Sequence, residues 1–90
     1  DGPVDSLHNA LCAALRDAYP SVDDLHLVDY KVRVVNTAAE TAAKVRVMID
    51  WHDASDAGYF GSVGVSENII DASWLALADA VEYKLLKESD

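Results

Sequence analysis

Few residues in this chain are of types that do chemistry, and their spacing points away from catalysis. His8, His26 and His52 share no metal-ligand spacing and have no cysteine partner, so a zinc site is not expected. Cys12 has no neighbouring histidine and no helix start to activate it, and reads as a small packed residue. Ser62, Ser66 and Ser73 sit in no nucleophile-elbow pattern. Gly58, Gly61 and Gly64 are not followed by the Lys-Ser/Thr of a phosphate loop. No acid, base and nucleophile converge in sequence, so the chain does not read as an enzyme. What remains is binding. Two turns, Gly2-Pro3-Val4 and Ser66-Glu67-Asn68-Ile69, each open an apolar-periodic segment with an Asp three residues after a small or polar residue: Asp5 after Gly2, Asp71 after Asn68. A helix start presents free N–H groups and a positive dipole end, which suits a carboxylate. The plainer reading is that Asp5 and Asp71 stabilise their own helices.

These turns must be held by regular elements. Val4, Leu7, Leu11, Ala14, Leu15 and Ala18 recur at helical spacing, which predicts a helix over 3–19 that Pro20 stops. Alternation predicts a strand over 25–35, with Val28, Tyr30, Val32 and Val34 opposed to Asp29, Lys31 and Arg33. Leu25 and Leu27 have the other parity, so a bulge is expected near 27–28. A second strand, 44–52, turns Val45, Val47, Ile49 and Trp51 one way and Lys44, Arg46 and Asp50 the other. Asn36 to Thr41 forms the hairpin loop between them, and residues 52–58 form a polar turn. A third strand covers 59–65, with Tyr59, Val63 and Val65 on one face. A second helix covers 69–87, with a stripe of Ile70, Trp74, Leu77, Val81 and Leu85 broadened by Ile69, Ala72, Ala76 and Ala80. The expected fold is α+β in the order α-β-β-β-α: a three-stranded antiparallel sheet with both helices on one face and the other face wet. Lys31, Arg33, Lys44 and Arg46 then form that solvated face. The alanine-rich helix faces are expected to meet a partner chain.

Ninety residues make one domain, too small to hide much of its own surface. A net charge of −9 repels phosphate backbones and anionic lipid, so neither nucleic acid nor membrane is an expected partner. The order α-β-β-β-α also occurs in double-stranded RNA-binding domains, but the second helix opens with Glu67, Asn68 and Asp71 where cations would be needed. A single cysteine, no signal peptide and no long apolar run point to the cytoplasm. The chain lacks an initiator Met and reads as a piece of a longer protein.

The helix starts also repeat. Residues 2–11 align with 68–77: Val4 with Ile70, Asp5 with Asp71, and Ala10-Leu11 with Ala76-Leu77. Capping chemistry alone gives helix starts a family likeness. The alternative is a duplicated βββα unit, in which 1–20 holds the last helix of the first unit and 21–90 is the second unit entire.

Several stretches carry a closer likeness: Asp1-Gly2-Pro3-Val4-Asp5-Ser6-Leu7, Val28-Asp29-Tyr30-Lys31-Val32-Arg33-Val34, Thr41-Ala42-Ala43-Lys44-Val45-Arg46-Val47, Gly61 through Trp74, and Glu82-Tyr83-Lys84-Leu85. In this order they resemble the C-terminal regulatory domain of the 2-isopropylmalate synthase family, nearest its citramalate-synthase-like branch. The resemblance implies two βββα units, a homodimer, and feedback binding of a branched-chain amino acid, leucine or isoleucine. It also implies a parent acyltransferase whose TIM barrel, absent here, condenses acetyl-CoA with a 2-oxo acid on a divalent metal; the domain itself would need no cofactor. The candidate effector site comprises Asp1, Gly2, Pro3, Val4, Asp29, Tyr30, Val63, Ser66, Glu67, Asn68, Ile69 and Ile70: the resemblance implies the Gly2-Pro3 turn and the Ser66-Glu67-Asn68 turn, while the chemistry of a free amino acid adds helix-start N–H groups for the carboxylate, an Asp for the ammonium and apolar residues for the side chain. A structural dimerisation module without a ligand is the rival reading.

Overall fold

The computed structural model describes residues 3–35 and 43–89. The expected hairpin loop at 36–41 lies outside them. The first helix, α1, spans Pro3–Leu15, and strands β1 (Leu25–Val35), β2 (Lys44–Asp53) and β3 (Gly58–Ser66) precede the second helix, α2 (Ile69–Glu88). The order is the expected one, in an antiparallel sheet β1-β2-β3. Helix α1 is shorter than its periodicity predicts. A residue before proline is biased away from helical backbone, and Tyr19 is non-helical at φ −137°, ψ 74°, leading into a single 3-10 turn, Pro20–Asp24.

The register of β1 on β2 shifts between Leu27 and Asp29, leaving Val28 as the extra residue. The bulge turns Leu25 and Leu27 to the same side as Tyr30, Val32 and Val34 despite their opposite parity. That side is the core side. Val47, Ile49 and Trp51 of β2 are buried on it, and Trp51 Nε1 donates to Ser62 Oγ at 2.9 Å. Each large apolar side chain buried here contributes about 1.5–3 kcal/mol.

The packing of α2 differs from the predicted stripe. Its buried residues are Ala72, Ser73, Ala76, Leu77, Ala80, Val81 and Lys84, while Ile70 and Trp74 are exposed. Gly64 explains this. A Cβ at that position would lie 2.2 Å from Ala72 O and 2.6 Å from Ala76 N. The helix backbone therefore rests almost directly on the strand, and only alanines fit between them. The alanine-rich face of α2 is core, not the surface for a partner chain. The partner-facing candidates are instead the bulky residues that this close approach expels.

Helix α1 packs beside α2. Cys12, Val22 and Val81 form a small second cluster, with Leu11, Leu15 and Leu85 around it. Leu7 and Leu11 also reach the main core. The His8 ring meets Trp51 edge-on, centroids 5.0 Å apart.

Candidate functional site

The start of α2 is built by its cap. Asn68 is extended at φ −129°, ψ 154°, and its Oδ1 accepts the Asp71 N–H at 2.8 Å. Asn68 Nδ2 donates in return to Asp71 Oδ2 at 3.0 Å. Asp71 thus serves its own helix, the plainer of its two readings. Two bulky apolar residues follow the cap, Ile69 and Ile70, both exposed. First-turn amides have no acceptor within the helix, so N–H groups and apolar side chains lie together here.

The sheet extends this apolar surface. One cross-strand row reads Gly64, Val47, Val32 and the next Ser66, Val45, Val34. Under α2, Val47 is fully buried; at the end of the same row Val32 is 40% exposed, and Val34 reaches 67%. Helix cover therefore stops short of this half of β1. The flanks of α2 fix what stands beside the opening. Asp79 Oδ2 accepts the Val63 N–H at 3.3 Å, so that flank hangs over the free edge of β3. About half a turn away, on the β1 side, lie Ile70, Trp74 and Val81. Val81 packs on Cys12 of α1, whereas Ile70 and Trp74 remain open. By helical geometry Ile70 and Trp74 are therefore on the flank of α2 turned towards β1, whose helix-side residues Tyr30, Val32 and Val34 form an open apolar shelf.

The anticipated effector residues divide. Tyr30 and Ser66 face the helix side, and Ile69 and Ile70 begin α2. Asp29 and Val63 lie on the opposite side of the sheet, across from Asp50 and Met48 in the register. Strand alternation forces this, since adjacent residues cannot share a face. Asp29 Oδ1 accepts the Tyr30 N–H at 2.8 Å, and its Oδ2 lies 3.7 Å from Lys31 Nζ. Glu67 is exposed in the link before the cap. Pro3 and Val4 are the first positions of α1, and Asp1 and Gly2 lie outside the described residues. Among the described residues no group of three His, Cys, Asp or Glu could hold a metal ion.

A second polar feature was not legible as one. Asp53, read as part of a polar turn, ends β2 fully buried, and Lys84 of α2 is fully buried opposite it. Lys84 Nζ donates to both Asp53 oxygens at 2.9 Å and to Ser55 Oγ at 2.8 Å, and it pairs with Glu88 at 3.0 Å. Lys87 Nζ reaches Asp53 at 2.7 Å and Asp56 at 2.9 Å. Ser21 Oγ donates to Glu88, joining the 3-10 turn to the same clasp. Burial alone would raise the Asp53 pKa, but hydrogen bonds from Lys87, Lys84 and Ser55 hold it well below its ordinary value. Burial opposes the charge of Lys84, and its bonds to Asp53 and Glu88 more than offset this. The signal was Lys84 falling in the helical sequence Ser73, Leu77, Ala80, Lys84, at core spacing.

The LeuA allosteric (dimerisation) domain model matches residues 1–85, and the chain belongs to that family. Among curated relatives, the (R)-citramalate synthase of Aquifex aeolicus is 49% identical over 90 residues, covering all of this chain and 17% of that protein. That of Geobacter sulfurreducens is 49% identical over 90 residues, again 17% of its length. That of Sulfolobus acidocaldarius is 37% identical over 87 residues, 97% of this chain and 16% of the relative. The chain therefore spans about a sixth of the curated relatives it matches. No solved structure matches it. Its role is that of a regulatory and dimerisation domain within this synthase family. Among the described residues no helix is long and apolar enough to cross a membrane.

Proposed function

We propose that the domain binds a branched-chain amino acid, isoleucine before leucine, and so places a parent synthase under feedback control. On the family resemblance, that parent condenses acetyl-CoA with a 2-oxo acid. The observation that carries the reading is the join between the start of α2 and the open shelf. First-turn amides suit a carboxylate, and Tyr30, Val32, Ile69 and Ile70 suit an aliphatic side chain. Isoleucine acts on the distant catalytic domain by favouring one of two arrangements, which requires different affinities for the two. In the same reading, residues 1–20 close one βββα unit and 21–90 form another. The apolar residues on the far side of α2, Leu75 and Leu86, support a further covering layer.

Isothermal titration of the chain with isoleucine and leucine is the test. Heat with isoleucine, at least about tenfold weaker in Tyr30→Ala, is the expected result. Silence with both amino acids leaves the second reading, a dimerisation module without a ligand, which the exposed apolar residues Val32, Val34, Ile70 and Trp74 favour.

A further inference from the structure

The two edges of the sheet differ. Strand β1 forms one and β3 the other. An open edge presents unpaired N–H and C=O groups to any extended chain, and bulges and lysines commonly blunt it. Strand β1 has both devices: Val28 is bulged out of register, and Lys31 and Arg33 follow it. Strand β3 has neither. Its register on β2 is unbroken, and its nine residues include no charge and no proline. What guards its edge comes from another element, since Asp79 of α2 accepts the Val63 N–H at 3.3 Å. With the Val63 N–H turned outward, antiparallel alternation turns the backbone of Gly61 and Val65 outward too. Beside them lies an open groove of about 350 Å³, with Val63 and Val65 on its strand side and Leu75, Ala78, Asp79 and Glu82 on its helix side. We infer that this edge and groove bind an extended peptide segment as an added strand, one in which apolar and cationic side chains alternate.

In strand addition the backbone supplies affinity and the side chains choose the partner. Every second residue of the added strand points to the helix side. There Asp79 and Glu82 share one flank of α2, three positions apart. A lysine or arginine lays its stem along Leu75 and its charge on the two carboxylates. The residues between point to the outer face, where Val63 and Val65 are exposed, and apolar side chains continue that surface. Binding exchanges bonds without losing any: a peptide carbonyl takes the Val63 N–H, and Asp79, released from it, takes the peptide's cation. The cation next to this edge, Arg46, lies across from Val65 on the outer face and not in the groove. A second copy fits poorly. Pairing β3 with β3 about a twofold axis brings the two acidic flanks together on one side of the joined sheet. The net charge of −9 likewise repels a copy and attracts a cationic segment.

The test is fluorescence anisotropy of a labelled heptapeptide alternating valine and lysine, titrated with the 90-residue chain. Saturable binding with a Kd below about 1 mM is expected, weaker at about 0.5 M than at about 0.05 M NaCl. Val63→Pro removes an outward N–H that takes no part in the ladder to β2, and it should weaken binding at least about tenfold. Glu82→Lys, at an exposed position, should weaken it at least about fivefold. Hydrogen exchange of the Gly61 and Val65 amides should slow on binding, with β1 unchanged. Circular dichroism checks each fold, and Glu82→Lys carries the test if Val63→Pro is unfolded. No saturation by about 1 mM overturns the inference. So does equal binding of the same peptide with glutamate for lysine, undiminished binding by both variants, or new protection on β1 in place of β3. Protection of the Gly61 and Val65 amides that rises with protein concentration in the absence of peptide gives the edge to a second copy, and overturns it as well.

Discussion

The two ends of the sheet are finished in opposite ways. At the end where Leu25, Asp53 and Gly58 align, charged groups are buried and bonded on several sides. At the end where Val34, Val45 and Ser66 align, apolar groups stand exposed. A buried charge costs far more than an exposed valine unless it is paired, so the clasped end is intolerant of change. The open end carries no such penalty. The clasp, meanwhile, holds the opposite end of α2 in place.

The largest break in this contrast is Lys84→Met. It leaves Asp53 buried with only Lys87 and Ser55 as partners, and about 3 kcal/mol of stability should be lost in urea denaturation. The double variant Asp53→Leu/Lys84→Met should lose less than Lys84→Met alone, because no unpaired charge remains. Next is Gly64→Ala, whose methyl group collides with the backbone of α2. It should cost about 1–3 kcal/mol, whereas Gly61→Ala, where the nearest atom lies at 3.4 Å, should be close to neutral. Asn68→Ala removes the cap beside the shelf and should cost about 1 kcal/mol. Smallest is Val34→Asp. It should change the stability of the fold by no more than about 0.5 kcal/mol, since Val34 is already in water. If Val34→Asp costs as much as Gly64→Ala, the two ends are not different in kind.

Acid and base sharpen the same contrast. The Asp53 pKa is depressed, so its contribution is complete above its ordinary value of 3.8 and is lost as pH falls through the lower folded value. Lys84 and Lys87 are raised, so theirs is complete below 10.5 and is lost as pH rises beyond it. Between these limits the clasp is indifferent to pH. His8 behaves differently. Burial lowers its pKa below 6.5, with Asp5 opposing and His26 assisting. Its contribution is complete above 6.5 and fades as pH falls. A thermal melting series should show a shallow decline below pH 6.5 that His8→Phe abolishes, well before the clasp opens.

Much of this was legible. Strand alternation located β1 as 25–35, and the parity change at Leu27 announced the bulge. The Asn68 and Asp71 pair marked the start of α2. The stripe of α2 was misread because periodicity weights bulky residues, and Ile70 and Trp74 outweigh Ala72, Ala76 and Ala80. Only a glycine on a neighbouring strand makes alanine the right core residue, and that pairing is nonlocal. Asp53 and Lys84 are 31 positions apart, so no local rule could join them.

By itself the sequence determined what short-range rules control: which segments are helix or strand, which residues alternate to which side, where capping and bulge fall, and a likeness spread along the chain. The tertiary structure decided how closely α2 approaches β3, which charges become buried together, and which half of β1 goes uncovered. Those depend on distances between segments remote in the chain, where a single missing Cβ at Gly64 sets the spacing and everything packed around it follows.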